Sequence, residues 1–366
     1  MRNSPGPLLR RATVGVLVLG ALCAPVCAAA PTAPPAPEAE RLAFTERYRA
    51  VQHGGIVRAA NATISCRVVA PPDAEPDCPA VRQGGTAVNG DFDMFYVDVD
   101  SDPNTYNSSS AEVRLPKGAR VSYARLYWGG NLRVGEQKPP ADNGRVLIAE
   151  PGGEYKEVLA DSVVGHRVAR GADAFQASAD VTRLVRDSGS GMWTVAQVNT
   201  AMGKSSAGAW GGWTLVVAYE NPAEPLRRLA LWDGFEPLDP KAGREVRLRD
   251  TGFAKNASGR AGLVTYDGDR GITGDTLTVT AGGSPATPLT DAANPRDDVL
   301  NSTISEPAAV RSRRVPSYAN TLGYDSDVFD LGKALRSGGD GLAFRLRSPR
   351  DVVWAGVLFA AVDAPR

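Results

Sequence analysis

Apolar residues in this chain come in short runs cut apart by glycine and proline, and that spacing constrains the fold more than any other feature. Within the runs the period is two. In residues 119–128, Val121, Tyr123, Arg125 and Tyr127 fall on one face, and Ser122, Ala124, Leu126 and Trp128 on the other. Alternate residues of a strand share a face, so this pattern reads as half-buried strand. Residues 92–99 alternate in the same way. Residues 213–219 are apolar throughout, bounded by Gly211-Gly212 and Asn221-Pro222, as a strand covered on both faces would be. Further strand-like runs occupy 227–235, 245–253, 276–280, 341–347 and 351–362. With 39 glycines and 27 prolines in 366 residues, turns are favoured over long helices. The expected class is all-β, in sandwiches or barrels.

Two segments carry a helical signal. Residues 180–189 and 330–339 each open on an aspartate suited to an N-cap and close on glycine. They superpose without a gap: Asp180 on Asp330, Arg186 on Arg336, Gly189 on Gly339, Gly191 on Gly341. Each is followed by a strand-like run and then by a strongly apolar one. We therefore expect an internal duplication: two jelly-roll-like β-sandwich lobes, each with one short helix, spanning 44–236 and 237–366. The boundary is expected near 236–241, where Pro237 and Pro240 precede Gly243.

The N-terminus predicts export. Arg2, Arg10 and Arg11 flank an apolar run at 12–24, and Ala28, Ala29 and Ala30 follow. A basic region, a short apolar region and small residues are the parts of a secretory signal, placed here at 1–28. The run is shorter than the roughly 20 residues a membrane span needs. Residues 29–43 read as a proline-rich tether. Cleavage would remove Cys23, Cys27, three arginines and no acid, turning a chain balanced at 41 basic and 41 acidic residues into one three charges negative. That balance argues against binding to nucleic acid, and no second apolar run reaches membrane length. Cys66 and Cys78 remain as an even pair in an exported chain, which predicts a disulfide.

Only two histidines occur, His53 and His166, and neither sits in a metal-ligand spacing. Catalytic triads and zinc centres are therefore poorly supported. Acidic runs carry more. Asp98, Asp100, Asp102 and Asn104 offer hard oxygen ligands at alternate positions, a donor set suited to Ca²⁺. The run is not an EF-hand, since Pro103 stands where the loop glycine belongs, and a solvated face with an Asx turn competes. Asp267-Gly-Asp269 and Asp325-Ser-Asp327 are smaller versions. Paired carboxylates also serve glycoside hydrolysis, but nothing in the sequence selects a pair. Of six tryptophans, Trp128, Trp193, Trp213 and Trp354 read as core. Trp210, in the glycine-rich stretch 203–212, is expected to be exposed and to bind ligand by stacking on sugar. Four Asn-x-Ser/Thr triplets, at Asn61, Asn107, Asn256 and Asn301, are expected on surface turns.

Four blocks carry a resemblance: 92–130 (FDMFYVDVDSDPNTYNSSSAEVRLPKGARVSYARLYWGG), 211–222 (GGWTLVVAYENP), 231–238 (LWDGFEPL) and 321–331 (TLGYDSDVFDL). Together they resemble a β-rich domain of unknown function in secreted actinobacterial proteins, similar to the N-terminal region of large repeat-containing bacterial surface proteins. The resemblance implies an extracellular setting and an adhesive role, and transfers no catalytic residue. No repeats follow Val362, so the expectation is a stand-alone secreted module. The functional expectation is a non-enzymatic protein that binds a surface partner or glycan. The alternative is a secreted carboxylate-dependent hydrolase acting on a glycan.

Overall fold

The structure is a computed structural model describing residues 38–39, 42–67, 77–248, 252–307 and 312–365. The expected export signal, Cys23, Cys27 and most of the tether lie outside the described residues.

Sixteen strands fall into two series of eight, and a further strand, Ser162–Ala169, pairs with residues 172–180. The first is β1 (Leu42–Ala62), β2 (Ser108–Val113), β3 (Arg120–Asn131), β4 (Arg145–Ala149), β5 (Lys156–Leu159), β6 (Ala172–Asp180), β7 (Gly191–Ala196) and β8 (Gly211–Glu220). The second is β9 (Leu226–Pro237), β10 (Arg244–Leu248), β11 (Gly259–Tyr266), β12 (Thr276–Ala281), β13 (Thr287–Pro288), β14 (Tyr324–Asp330), β15 (Leu342–Arg347) and β16 (Trp354–Asp363). Hydrogen-bonded order is the same in both. The first series pairs as β1-β8-β3-β6 and β2-β7-β4-β5, the second as β9-β16-β11-β14 and β10-β15-β12-β13. Each series has the pairing order of a jelly roll, and the inner strands of both belong to one ten-stranded sheet. By this equivalence the second series opens with β9 at Leu226, and the sequence placed the boundary near 236–241.

The repeats join through β1. Its residues 54–62 pair with β8, and residues 42–53 pair with β9. The handover falls at Gly54, whose φ is +142° and where a Cβ would lie 1.9 Å from the Tyr219 carbonyl oxygen. Only glycine fits there.

Alternation along the strands then builds four β layers. On the outer face of β3, Ala124, Leu126 and Trp128 meet Trp193, Val195 and Ile148 of the facing sheet. On the outer face of β11 and β16, Leu263, Leu358 and Ala360 meet Leu277, Val279 and Phe344. The inner faces pack on each other through Tyr127, Val216, Tyr266, Tyr324, Trp354 and Phe359. The four tryptophans expected in the core are fully buried.

The middle layer also holds charge. Asp233 of β9 is buried and accepts hydrogen bonds from Arg47 Nε at 2.7 Å, Arg47 Nη2 at 3.0 Å and the Tyr127 hydroxyl at 2.9 Å. Arg125 stands 3.8 Å from the same carboxylate and also pairs with Asp161. A buried carboxylate of this kind is tolerated because cations and donors surround it.

Cys66 and Cys78 form the expected disulfide, with Cα atoms 5.8 Å apart. Closing a loop of this length stabilises by about 3 kcal/mol in the chain-entropy model. Cys78 starts a short helix not expected from the sequence, α1 (Cys78–Arg82). The helix expected at 180–189 forms as α2 (Thr182–Ser188) between β6 and β7, with Asp180 Oδ1 accepting the Thr182 N–H at 2.9 Å. Its counterpart at 330–339 is only a series of turns, so one helix per lobe does not hold. Asp330 still accepts the Gly332 N–H at 2.7 Å. The helix stops there because Gly332 enters its first turn and Gly338 takes a φ of +72°.

Candidate functional site

The run 98–104 folds on itself. Asp98 accepts the Ser108 hydroxyl at 2.8 Å, Asp100 accepts the Asp102 N–H at 2.8 Å, and Asp102 accepts the Asn104 N–H at 2.9 Å. The last two are consecutive Asx turns, in which Asp100 and Asp102 reach their own backbone two residues on, whereas Asp98 reaches across to the strand at Ser108. Asp100 also binds the Tyr155 hydroxyl, and with Asp102 and Glu154 it borders an open concavity of about 570 Å³. Burial works against the Asp100 charge. The bonds from Tyr155, Asp102, Ser108 and Thr105 outweigh it and hold the carboxyl below its ordinary range. Among the described residues, no group of three or more His, Cys, Asp or Glu side chains is placed to hold a metal ion.

The smaller acidic runs reach a different setting. Asp267 and Asp269 follow β11, Asp275 precedes β12, and Asp351 precedes β16. With Asp298 they are all buried where these loops meet. Backbone donors knit the group together. Asp351 accepts the Asp269 N–H at 2.6 Å, Asp298 the Gly271 N–H at 3.1 Å, and Asp269 the Asn89 N–H at 2.8 Å. The Asn89 side chain donates to Asp267 at 2.9 Å. Burial, then the charge of Asp351, raises Asp269 and Asp275 to about 8 each. Burial lifts Asp351 to about 6. Asp267 is driven well above the carboxylate range by burial and by Asp269. Next to this centre, Asp325 and Asp327 share a face of β14 and are both raised by burial. Perturbed carboxyls of this kind mark functional sites and structural networks alike. Here every carboxyl named is tied to the loops it joins.

Trp210 is not exposed, as its glycine-rich surroundings suggested, but fully buried. Its ring packs 5.7 Å from Tyr266 and 6.4 Å from Trp354, and the indole lies beside Asp267. The neighbouring glycines let the backbone close in: a Cβ at Gly212 would strike the Tyr324 ring at 2.5 Å. The triplet asparagines Asn61, Asn107 and Asn301 are buried as well, held by backbone bonds, and only Asn256 is exposed.

An open groove of about 500 Å³ lies at the mouth of the middle layer, between the two repeats. Ile56 of β1, Val328 of β14 and Phe359 of β16 supply its apolar floor, and the exposed Arg260 stands at the rim. The acids lining it are engaged. Glu224 pairs with Arg227 at 2.8 Å, Glu306 accepts the Ser312 hydroxyl at 2.8 Å, and Asp330 caps its turn. Arg58 also lines the groove and is 4% exposed. Its Nη2 donates to the Ser305 and Ser326 carbonyls at 2.6 and 2.7 Å, while its buried Nε has no partner. No short sequence signal marks this groove, because its lining comes from strands of both repeats. Nearby, His53 Nδ1 contacts the Glu224 carbonyl at 2.8 Å.

No family model matches the chain, and no curated protein matches it. Among solved structures it is similar to one from Sulfolobus turreted icosahedral virus, at 9% identity and a TM-score of 0.23, covering 70% of this chain and 86% of that one. It is also similar to recombinant N-glycanase F (PNGase F), at 12% identity and a TM-score of 0.21, covering 85% of this chain and 96% of that one. Likeness at this level carries no argument about function. Among the described residues, no helix is long and apolar enough to cross a membrane.

Proposed function

We propose that this chain is a secreted, non-enzymatic binding module that acts at a cell surface, with its ligand seated in the groove between the two repeats. The observation that carries this reading is the lining of the groove. Its acids are committed to ion pairs and turn caps, whereas Arg58 keeps a buried donor without a partner. Glycoside hydrolysis instead needs two carboxyls opposed across a cleft. The raised carboxyls of Asp269 and Asp351 favour the hydrolase alternative, but both are buried and neither lines the groove. The arginine-led N-terminal run supports export. The resemblance to secreted actinobacterial domains supports a surface role.

The test is retention on immobilised cell-wall polysaccharide, with Ser258→Trp as a plug. Ser258 lines the groove and is exposed, so the variant fills the groove without disturbing the core. Wild type should be retained, the variant should wash through, and no reducing sugar should be released. Equal retention of both proteins, or release of sugar, would refute the reading.

A further inference from the structure

We propose that the groove is a carboxylate site, with Arg58 on its floor and Arg260 on its rim receiving one acidic group of a uronate-bearing glycan. The inference rests on the groove being the binding site and names the chemistry it selects. A buried guanidinium is costly unless its charge and all its donors are met. Arg58 meets only part of that need. Its Nη2 bonds go to neutral carbonyls, and its Nε has no acceptor. Its charge is felt by Asp327, which is itself bonded to the Ser305 N–H at 2.7 Å and to Thr303. Among the described residues of the lining, Glu224 is committed to Arg227, Glu306 to Ser312 and Asp330 to the Gly332 N–H, and none of them pairs with Arg58 or Arg260. One ligand carboxylate would answer these two arginines, and the guanidinium fork matches its geometry. The apolar floor then takes the less polar face of the ligand.

Calorimetric titration with trigalacturonate, maltotriose and free galacturonate separates the outcomes. Trigalacturonate should bind wild type, maltotriose should not, and added salt should weaken the binding. Arg260→Ala, at an exposed position, should weaken it roughly threefold to fivefold. Arg58→Lys, which keeps the charge and loses the fork, should weaken it by about tenfold or more. Equal binding of maltotriose and trigalacturonate, both blocked by Ser258→Trp, would overturn the carboxylate inference and leave the groove standing. Absence of trigalacturonate binding to wild type would overturn the inference, while retention on cell-wall polysaccharide reports on the groove separately. Free galacturonate binding as tightly as the trimer would overturn the glycan and leave a small carboxylate as the ligand. Arg260→Ala binding as well as wild type would remove the rim contact and overturn the two-arginine seat.

Discussion

The Asp-x-Asp runs at 98–102 and 267–269 read alike in the sequence and end in opposite electrostatic states. In the first, the side chains turn back on their own backbone in an open loop, and Asp100 is held below its ordinary range by hydrogen bonds. In the second, the loops that follow β11, β13 and β15 close over the acids. Asp269 and Asp275 are raised to about 8 by burial and by one another's neighbours. Local spacing is therefore a poor guide to ionisation. What decides it is whether distant loops remove water without supplying a cation.

The largest test of this contrast is the pH dependence of stability. A carboxyl raised in the folded state favours the protonated form. Its stabilisation is complete below the unfolded value near 4 and is lost as pH rises through the folded value. Asp351, Asp269 and Asp275 place that loss between about pH 4 and pH 8. The unfolding free energy from urea titration should fall over this range by on the order of 5 kcal/mol. Asp100 has the opposite sign, since its contribution is present above pH 4 and lost on acidification. A stability maximum at pH 8 would break the contrast.

Asp351→Ala should be next in size. It leaves the Asp269 and Val352 N–H groups without their acceptor, at a cost of about 2–3 kcal/mol at pH 5 by denaturant unfolding. Asp275→Asn should sharpen the picture further. At pH 8.5 it relieves repulsion with Asp351 and should stabilise by about 1 kcal/mol relative to wild type, with the gain vanishing at pH 5. Asp102→Ala, in the exposed turn, should cost only about 0.5 kcal/mol at either pH. Melting in calcium and in chelator should coincide. A calcium shift abolished by replacing Asp98 and Asp100 with Asn would restore the exposed run as a metal site.

Much of the fold was legible because strand alternation and turn residues are local. The match of Asp180 with Asp330 also marks equivalent ends of β6 and β14, where both side chains cap the next turn. What was hidden depends on partners distant in sequence. Gly54 shows no sign of passing β1 from one repeat to the other until Tyr219 is placed beside it. Trp210 reads as loop because glycines flank it, yet those glycines are what let Thr200 and Tyr324 approach and seal the indole inside. Asp267 and Asp269 were visible as a short run. Asp275, Asp298 and Asp351 stand alone in the sequence and gain their meaning only where the loops meet.

Site-resolved carboxyl titration by carbon-13 NMR addresses the contrast most directly. Asp269 and Asp275 should titrate near pH 8 and Asp351 near pH 6, with Asp100 below the ordinary carboxylate range. All four titrating together near pH 4 would contradict the account.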